Sequence, residues 1–419
     1  MPDFSIDAFL SLVAPETSGV PVERLLLLLA MILLSAKLLG ELAERIGQPA
    51  VIGELVAGVL LGPSVLGVVD PTLPVLHLLA EIGVILLLFS IGLETNLKRM
   101  ISVGGAATMV AVVGVALPFA FGYVVSRALG LELLPAIVAG AALTATSVGI
   151  TARVFADLGR LQSVEGQVVL GAAVIDDVIG LVILAVVTDL VAGAAPSVGG
   201  VVRTTAIAFG FLAVAIALGR FLVPRMFNLV ARTGKEHTLA TMALVLAFLL
   251  AVAASEVGSA LIVGAFAAGL VLAPSDHVQA VERGVVRLAN LFVPIFFVAV
   301  GAAVDVRSFT TRDVALVGVM LTVVAIVGKF AAGYAPVWIR ANKTLIGVGM
   351  IPRGEVGLIF AQTGLTAGVL TTGTYSALML MVLVTTFIAP PLLRLLIAKS
   401  ERSAPDSDAV GVAEMTTEA

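Results

Sequence analysis

The chain has no cysteine, so disulfides, thiol nucleophiles and thiolate metal sites are all excluded. Charge is scarce as well: only 12% of the 419 residues are Asp, Glu, Lys or Arg, about half the share a soluble domain carries. The net charge of −4 is too small to argue for a polyanionic partner, and no nucleic-acid contact is expected. His77, His237 and His277 sit at segment ends or in a loop without metal-ligand spacing, and read as ordinary surface residues. There is no Gly-rich phosphate loop with its lysine, no zinc-protease helix motif and no nucleophile triad. An enzyme, a cofactor and an ATP-driven pump are therefore not expected. Met1 to Val22 carries acidic residues and no basic stretch, so it does not read as a cleaved signal peptide.

What fills the space is apolar. Hydrophobic residues make up 60% of the chain and the mean hydropathy is +1.15. The apolar runs recur at about the twenty-residue length that crosses a hydrocarbon core. Thirteen spans are predicted, at 25–44, 49–67, 74–94, 103–126, 133–155, 166–192, 202–228, 237–256, 259–274, 286–304, 314–338, 344–369 and 374–397. In lipid only helices or closed barrels satisfy their own backbone. These runs are too long and too uniformly apolar for barrel strands, so an all-α membrane protein is expected. Fifteen Lys and Arg residues, from Arg45 to Arg402, fall on one side of the spans. Five, Arg24, Arg127, Arg203, Arg307 and Arg312, fall on the other. That bias places the N-terminus outside and the C-terminus in the cytoplasm of a cell (inner) membrane. The polar stretch 398–419 reads as a disordered tail, and no soluble regulatory domain is expected after it.

A repeat runs through the apolar segments. VIGELVAGVLLGPS (51–64) matches IVGAFAAGLVLAPS (262–275), with Gly53, Gly58 and Pro63 meeting Gly264, Gly269 and Pro274. FSIGLETNL (89–97) aligns with VAVGAAVDV (298–306), and SVGIT (147–151) with EVGLI (355–359). Three matches in one order, about 210 residues apart, pair span n with span n+7. Matched spans then cross in opposite directions. The expected domains are an outer N-terminal segment (1–24), a first six-helix repeat (25–192), a linker helix (193–236), an inverted second repeat (237–397) and the tail.

Five ionisable residues fall near mid-span: Asp176 and Asp177 in span 6, Lys329 in span 11, and Arg353 and Glu355 in span 12. Each such charge costs roughly 2.5–3.5 kcal/mol at bilayer depth, so it needs a partner or a water-filled cavity. A purely structural ion-pair network is the plain reading. The adjacent aspartates favour a functional one, because neighbouring helical positions point about 100° apart. One carboxylate can pair with Lys329 while the other faces an aqueous funnel. A carboxylate at the foot of such a funnel binds a proton or a hard monovalent cation, not both, and that competition is a basis for exchange. If cation arrival breaks an Asp176–Lys329 pair, the lysine releases a second proton and the cycle becomes electrogenic.

Two stretches are poor candidates for unbroken helix. LTATSVGIT (143–151) collects Thr144, Thr146, Ser147 and Thr151; IPRGEVG (351–357) sets Pro352 and Gly354 beside two charges. They occupy matching places in the two halves, where transporter sites form. Unwound carbonyls and hydroxyls there would supply neutral ligands to a cation held mainly by Asp177. The opposing reading is that the hydroxyls bond back to their own helix. Glu54 and Glu81 are weaker signals, either lining a funnel or lying at an interface.

These residues resemble the monovalent cation:proton antiporter superfamily, in its Kef-type and Nap-type branch. The similarity lies in IGQPAVIGELVAGVLLGPSVLG (46–67), TATSVGITARVFADLGRL (144–161), VIDDVIGLV (174–182), GKFAAGY (328–334) and PRGEVGLI (352–359). The resemblance implies a homodimer in a lipid bilayer. Spans 1–3 and 8–10 would form its dimerisation domain, spans 4–6 and 11–13 a mobile core, and spans 5 and 12 would cross as broken helices. It implies Asp177 as the ion-binding carboxylate, Asp176 as partner of Lys329, and Thr146 and Ser147 as ligand contributors. Glu355, with Arg353 beside it, would balance charge at the crossing. The expected activity is sodium/proton exchange, tied to the paired aspartates and the missing nucleotide-binding domain. Potassium/proton exchange, or ungated potassium efflux, is the nearest alternative. A cation channel and a sodium-coupled solute symporter are more distant ones.

Overall fold

Helices account for every regular element among the described residues, and their order explains how charge is carried into an apolar bundle. The computed structural model describes residues 21–191, 198–231, 236–275, 278–304, 306–307 and 311–403. The expected N-terminal segment up to residue 20 and the tail from 404 lie outside them. The helices are α1 (Val22–Arg45), α2 (Ala50–Leu61), α3 (Pro74–Glu94), α4 (Leu97–Ser102), α5 (Gly104–Ala128), α6 (Leu133–Ala142), α7 (Val148–Asp157) and α8 (Val164–Val191). There follow α9 (Val198–Ala231), α10 (Glu236–Glu256), α11 (Leu261–Leu272), α12 (Val278–Ala302), α13 (Arg312–Ala332), α14 (Lys343–Gly349), α15 (Glu355–Thr366) and α16 (Thr372–Ser403). Eight of them are long and apolar enough to cross a membrane. The chain is a multi-pass membrane protein.

Several predicted boundaries move. α2 stops at Leu61, and the chain turns back on it as Val68 and Val69 N–H donate to the Leu61 carbonyl. α12 begins at Val278, a full two turns before the apolar run, and α16 continues to Ser403 beyond the last apolar residue. Hydropathy marks where a helix is greasy, not where its hydrogen bonds end. The short α4, capped where Asn96 Oδ1 accepts from Arg99 N, is too polar to have been read as a span.

The helices pack in two groups. In one, α3 lies against α11 and α12, α1 against α2, and α10 against α11. In the other, α13 lies against α5 and α16, α5 against α6 and α8, and α6 against α15. Without a hydrophobic drive between helices in lipid, close approach at small residues does the holding. A Cβ on Gly53 would lie 2.1 Å from the Leu39 carbonyl oxygen, and one on Gly264 would lie 2.1 Å from that of Leu250. Gly58 sits as tightly on Val298 and Gly301, and Gly269 on Phe89 and Gly92. The same contacts thus recur about 210 residues further on.

Candidate functional site

Both stretches expected to break do so, and they break against each other. α6 ends at Ala142 and α7 begins at Val148; α14 ends at Gly349 and α15 begins at Glu355. Where the strands of backbone meet, Ser147 N donates to the Pro352 carbonyl at 2.9 Å. Thr151 Oγ1 donates to the Gly349 carbonyl at 2.8 Å, and Thr146 Oγ1 reaches the Met350 carbonyl at 3.4 Å. Gly354 is required by this contact, since a Cβ there would stand 2.6 Å from Ser147 Oγ. Only Thr144 bonds back to its own helix, donating to the Ala141 carbonyl at 2.7 Å.

Arg353 closes the crossing. Its side chain is fully buried, and Nη1 donates to the Ala145 carbonyl at 2.9 Å and to that of Thr144 at 3.5 Å. Nη2 reaches the Ala325 carbonyl of α13 at 3.4 Å. A helix that stops in mid-bundle leaves orphan carbonyls and the negative end of its dipole. A guanidinium with five fixed donors answers both. Of the unwound carbonyls, those of Thr144 and Ala145 accept from Arg353. The side chain of Glu355 lies outside the described residues, so its expected charge-balancing role has no geometry here.

The adjacent aspartates divide as helical geometry requires. Asp176 Oδ2 accepts from Lys329 Nζ at 2.8 Å, with both side chains wholly out of solvent. Gly114 of α5 makes room for the lysine, whose Nζ lies 3.4 Å from where a Cβ would stand. Gly328 lets α13 close on Pro118. Asp177, 4% exposed, points to another face of α8. Leu181, Leu184 and Thr188 continue that face by whole turns, and all three line a cavity of about 610 Å³ that α9, with Arg203 and Ile207, and the turn after α10, with Gly258, complete. Lys329 lies within electrostatic range of Asp176, Asp177 and Arg353, two acids and a second base.

One of the other residues falls elsewhere. Glu81 is half-exposed and meets His77 at 3.3 Å on the same helix face, a surface pair. Ser147 Oγ is buried with no hydrogen-bond partner among the described residues. One contributor escaped the sequence reading: Thr386 of α16 donates from Oγ1 to the Arg353 carbonyl at 2.6 Å. Its only signal is a Thr-Thr pair inside an apolar span.

Two crossed broken helices beside a buried Asp–Lys pair are the arrangement in which transporter sites form. The chain belongs to the sodium/hydrogen exchanger family, whose transmembrane model matches residues 30–399. It is 41% identical to the high-affinity Na(+)/H(+) antiporter NhaS3 of Synechocystis, over 90% of this chain and 91% of that one. It is 34% identical to the Na(+)/H(+)-K(+) antiporter GerN of Bacillus cereus, over 87% and 94%. Among solved structures it resembles the sodium proton antiporter MjNhaP1 of Methanocaldococcus jannaschii, with a TM-score of 0.65 at 16% identity, covering 90% of this chain and 97% of that one. At that identity the likeness speaks for the fold.

Proposed function

We propose that the chain exchanges sodium for protons across the cell membrane by alternating access, with Asp177 holding one or the other. One observation carries this reading. Asp176 is committed to Lys329, while the face of α8 that bears Asp177 runs on, from Leu181, into a cavity of about 610 Å³. A single acid cannot hold H⁺ and Na⁺ together, so occupancy by one expels the other. Thr146 and Ser147, at the break beside α8, are the neutral oxygen donors, and Arg353 and Glu355 set the local charge. The family relatives named for sodium/proton exchange support the same assignment.

The finer architecture follows the same reading: thirteen crossings, two inverted six-helix halves joined by α9, N-terminus outside and C-terminus in the cytoplasm. Matched glycine contacts about 210 residues apart support the repeat. The scaffold group, α1–α3 with α10–α12, would carry the homodimer interface, and exposed Leu26, Leu27, Leu34 and Leu38 on α1 offer it apolar surface. The other group would move against it.

Purified protein in liposomes with an internal pH dye, given sodium, potassium or lithium gradients, tests the proposal. Cation-driven proton flux is expected from wild type and none from Asp177→Asn. Wild-type flux in that variant would remove the assignment. Because one relative is named for potassium as well, the same traces decide between the cations.

A further inference from the structure

A second cavity lies on the opposite side of the bundle, and it contains a carboxylate that the exchange site does not use. It has a volume of about 490 Å³ between α1, α2, α7 and α12. Glu54 of α2 lines it, 5% exposed, with Oε2 sealed from solvent and without a hydrogen-bond partner. The placement is enforced, because its neighbour Gly53 presses α2 onto the backbone of α1 at Leu39.

The charges that face Glu54 do not neutralise it. From α1 come Lys37, Glu41 and Glu44; Lys37 pairs with Glu41 at 3.8 Å and Arg45 reaches the same acid at 3.9 Å. From α7 come Arg153 and Asp157, and these two bond each other at 2.9 Å. α12 contributes the neutral Asn290. Arg153 is thus already spent on Asp157, and the buried end of the cavity keeps an excess of negative charge. One turn along α7 from Arg153, Gly149 is packed under Leu87, Phe296 and Val84, an apolar seal between this cavity and the crossing.

We propose that Glu54 is a second binding site for a small monovalent cation or a proton, a waiting position on the access route opposite the α8–α10 cavity. In the orientation proposed above, this is the cytoplasmic route, and the inference rests on that reading of exchange. An unpaired buried carboxylate at the foot of an acidic vestibule concentrates cations at the seal. It releases them inward when α7 moves off Leu87 and Phe296.

The test compares the two faces of the intact protein in everted and right-side-out membrane vesicles, titrating sodium on each. Glu54→Gln is expected to raise half-saturating sodium on the α1–α2 face roughly five- to tenfold, the low end of what a charged low-dielectric cleft does to local cation concentration. The opposite face should keep its wild-type value, and Glu54→Asp should recover most of the loss. An unchanged value on both faces, or an equal rise on both, overturns the proposal. If Glu54→Gln does not assemble, the surface pair Glu41→Gln/Glu44→Gln decides: a smaller rise confined to the same face, fading at high salt, supports the site, and no rise overturns it. Exchange surviving Asp177→Asn would instead remove Asp177 as the exchanging acid, a result that no Glu54 variant can mimic.

Discussion

The two helix breaks occupy matching places in the chain and do opposite chemical work. The first, between α6 and α7, presents unsatisfied carbonyls at Thr144 and Ala145. The second, between α14 and α15, presents the cation that satisfies them. The neighbouring helices diverge in the same way. α8 brings Asp176 and Asp177 to the crossing, whereas α16, about 210 residues later, brings Thr385 and Thr386. Two broken helices therefore build the crossing, and their unequal side chains make it a site. Asp176 and Asp177 come from α8, while Lys329 and Arg353 come from α13 and the second break, so the two regions complete each other.

Removing the cation of the second break should have the largest structural effect. Arg353→Ala strands carbonyls in the first break and on α13 and leaves Asp176 with one base, and a loss of about 3–5 kcal/mol is expected for breaking such a buried set. A thermal melt in detergent measures it. Arg353→Lys keeps the charge without the fork and should fall between. A melt of Arg353→Ala within a degree or two of wild type would break the comparison.

Lys329→Ala comes next. It leaves Asp176 buried and unpaired, at about 3 kcal/mol, while the double variant Lys329→Met/Asp176→Leu should regain most of that. If the pair also couples a second proton, the double variant should still exchange cation for proton with less charge moved per cycle. Currents on a supported membrane read this directly, and unchanged charge would separate the pair from coupling.

Packing supplies a finer contrast. Gly354→Ala forces a Cβ to 2.6 Å from Ser147 Oγ, and overpacking of this kind costs about 1–3 kcal/mol. Beside the first break, Gly149→Ala on α7 meets nothing closer than 3.6 Å. It should shift the melt by less than about 0.5 kcal/mol. Equal effects at the two glycines would show that the breaks are held equally tightly. The smallest change is Thr386→Val, which deletes one hydrogen bond to the Arg353 carbonyl, worth about 1 kcal/mol.

Much of this was legible in the chain. The helices follow apolar runs, because lipid leaves an unpaired backbone no alternative. The breaks follow Pro352, Gly354 and the hydroxyl cluster at 144–151, because those residues weaken a helix locally. The role of Arg353 was not legible. Its neighbour Glu355 suggested charge balance, but the groups it binds are backbone carbonyls some 208 residues away, and carbonyls leave no mark in a sequence. Thr386 was hidden for the same reason, and nothing in the sequence marks Arg153 as the residue that bridges to Asp157 beside a buried acid.

By itself the sequence determined that the chain lives in lipid, where its helices fall and which few charges had to be accommodated there, since all three depend on hydropathy along a line. Tertiary structure alone decided which charge meets which. Asp176 and Lys329 are 153 positions apart yet stand at 2.8 Å, and only the packing of α8, α5 and α13 around Gly114 and Gly328 brings them together. A desolvated charge takes whatever partner the fold delivers to it, and that delivery is a property of three dimensions.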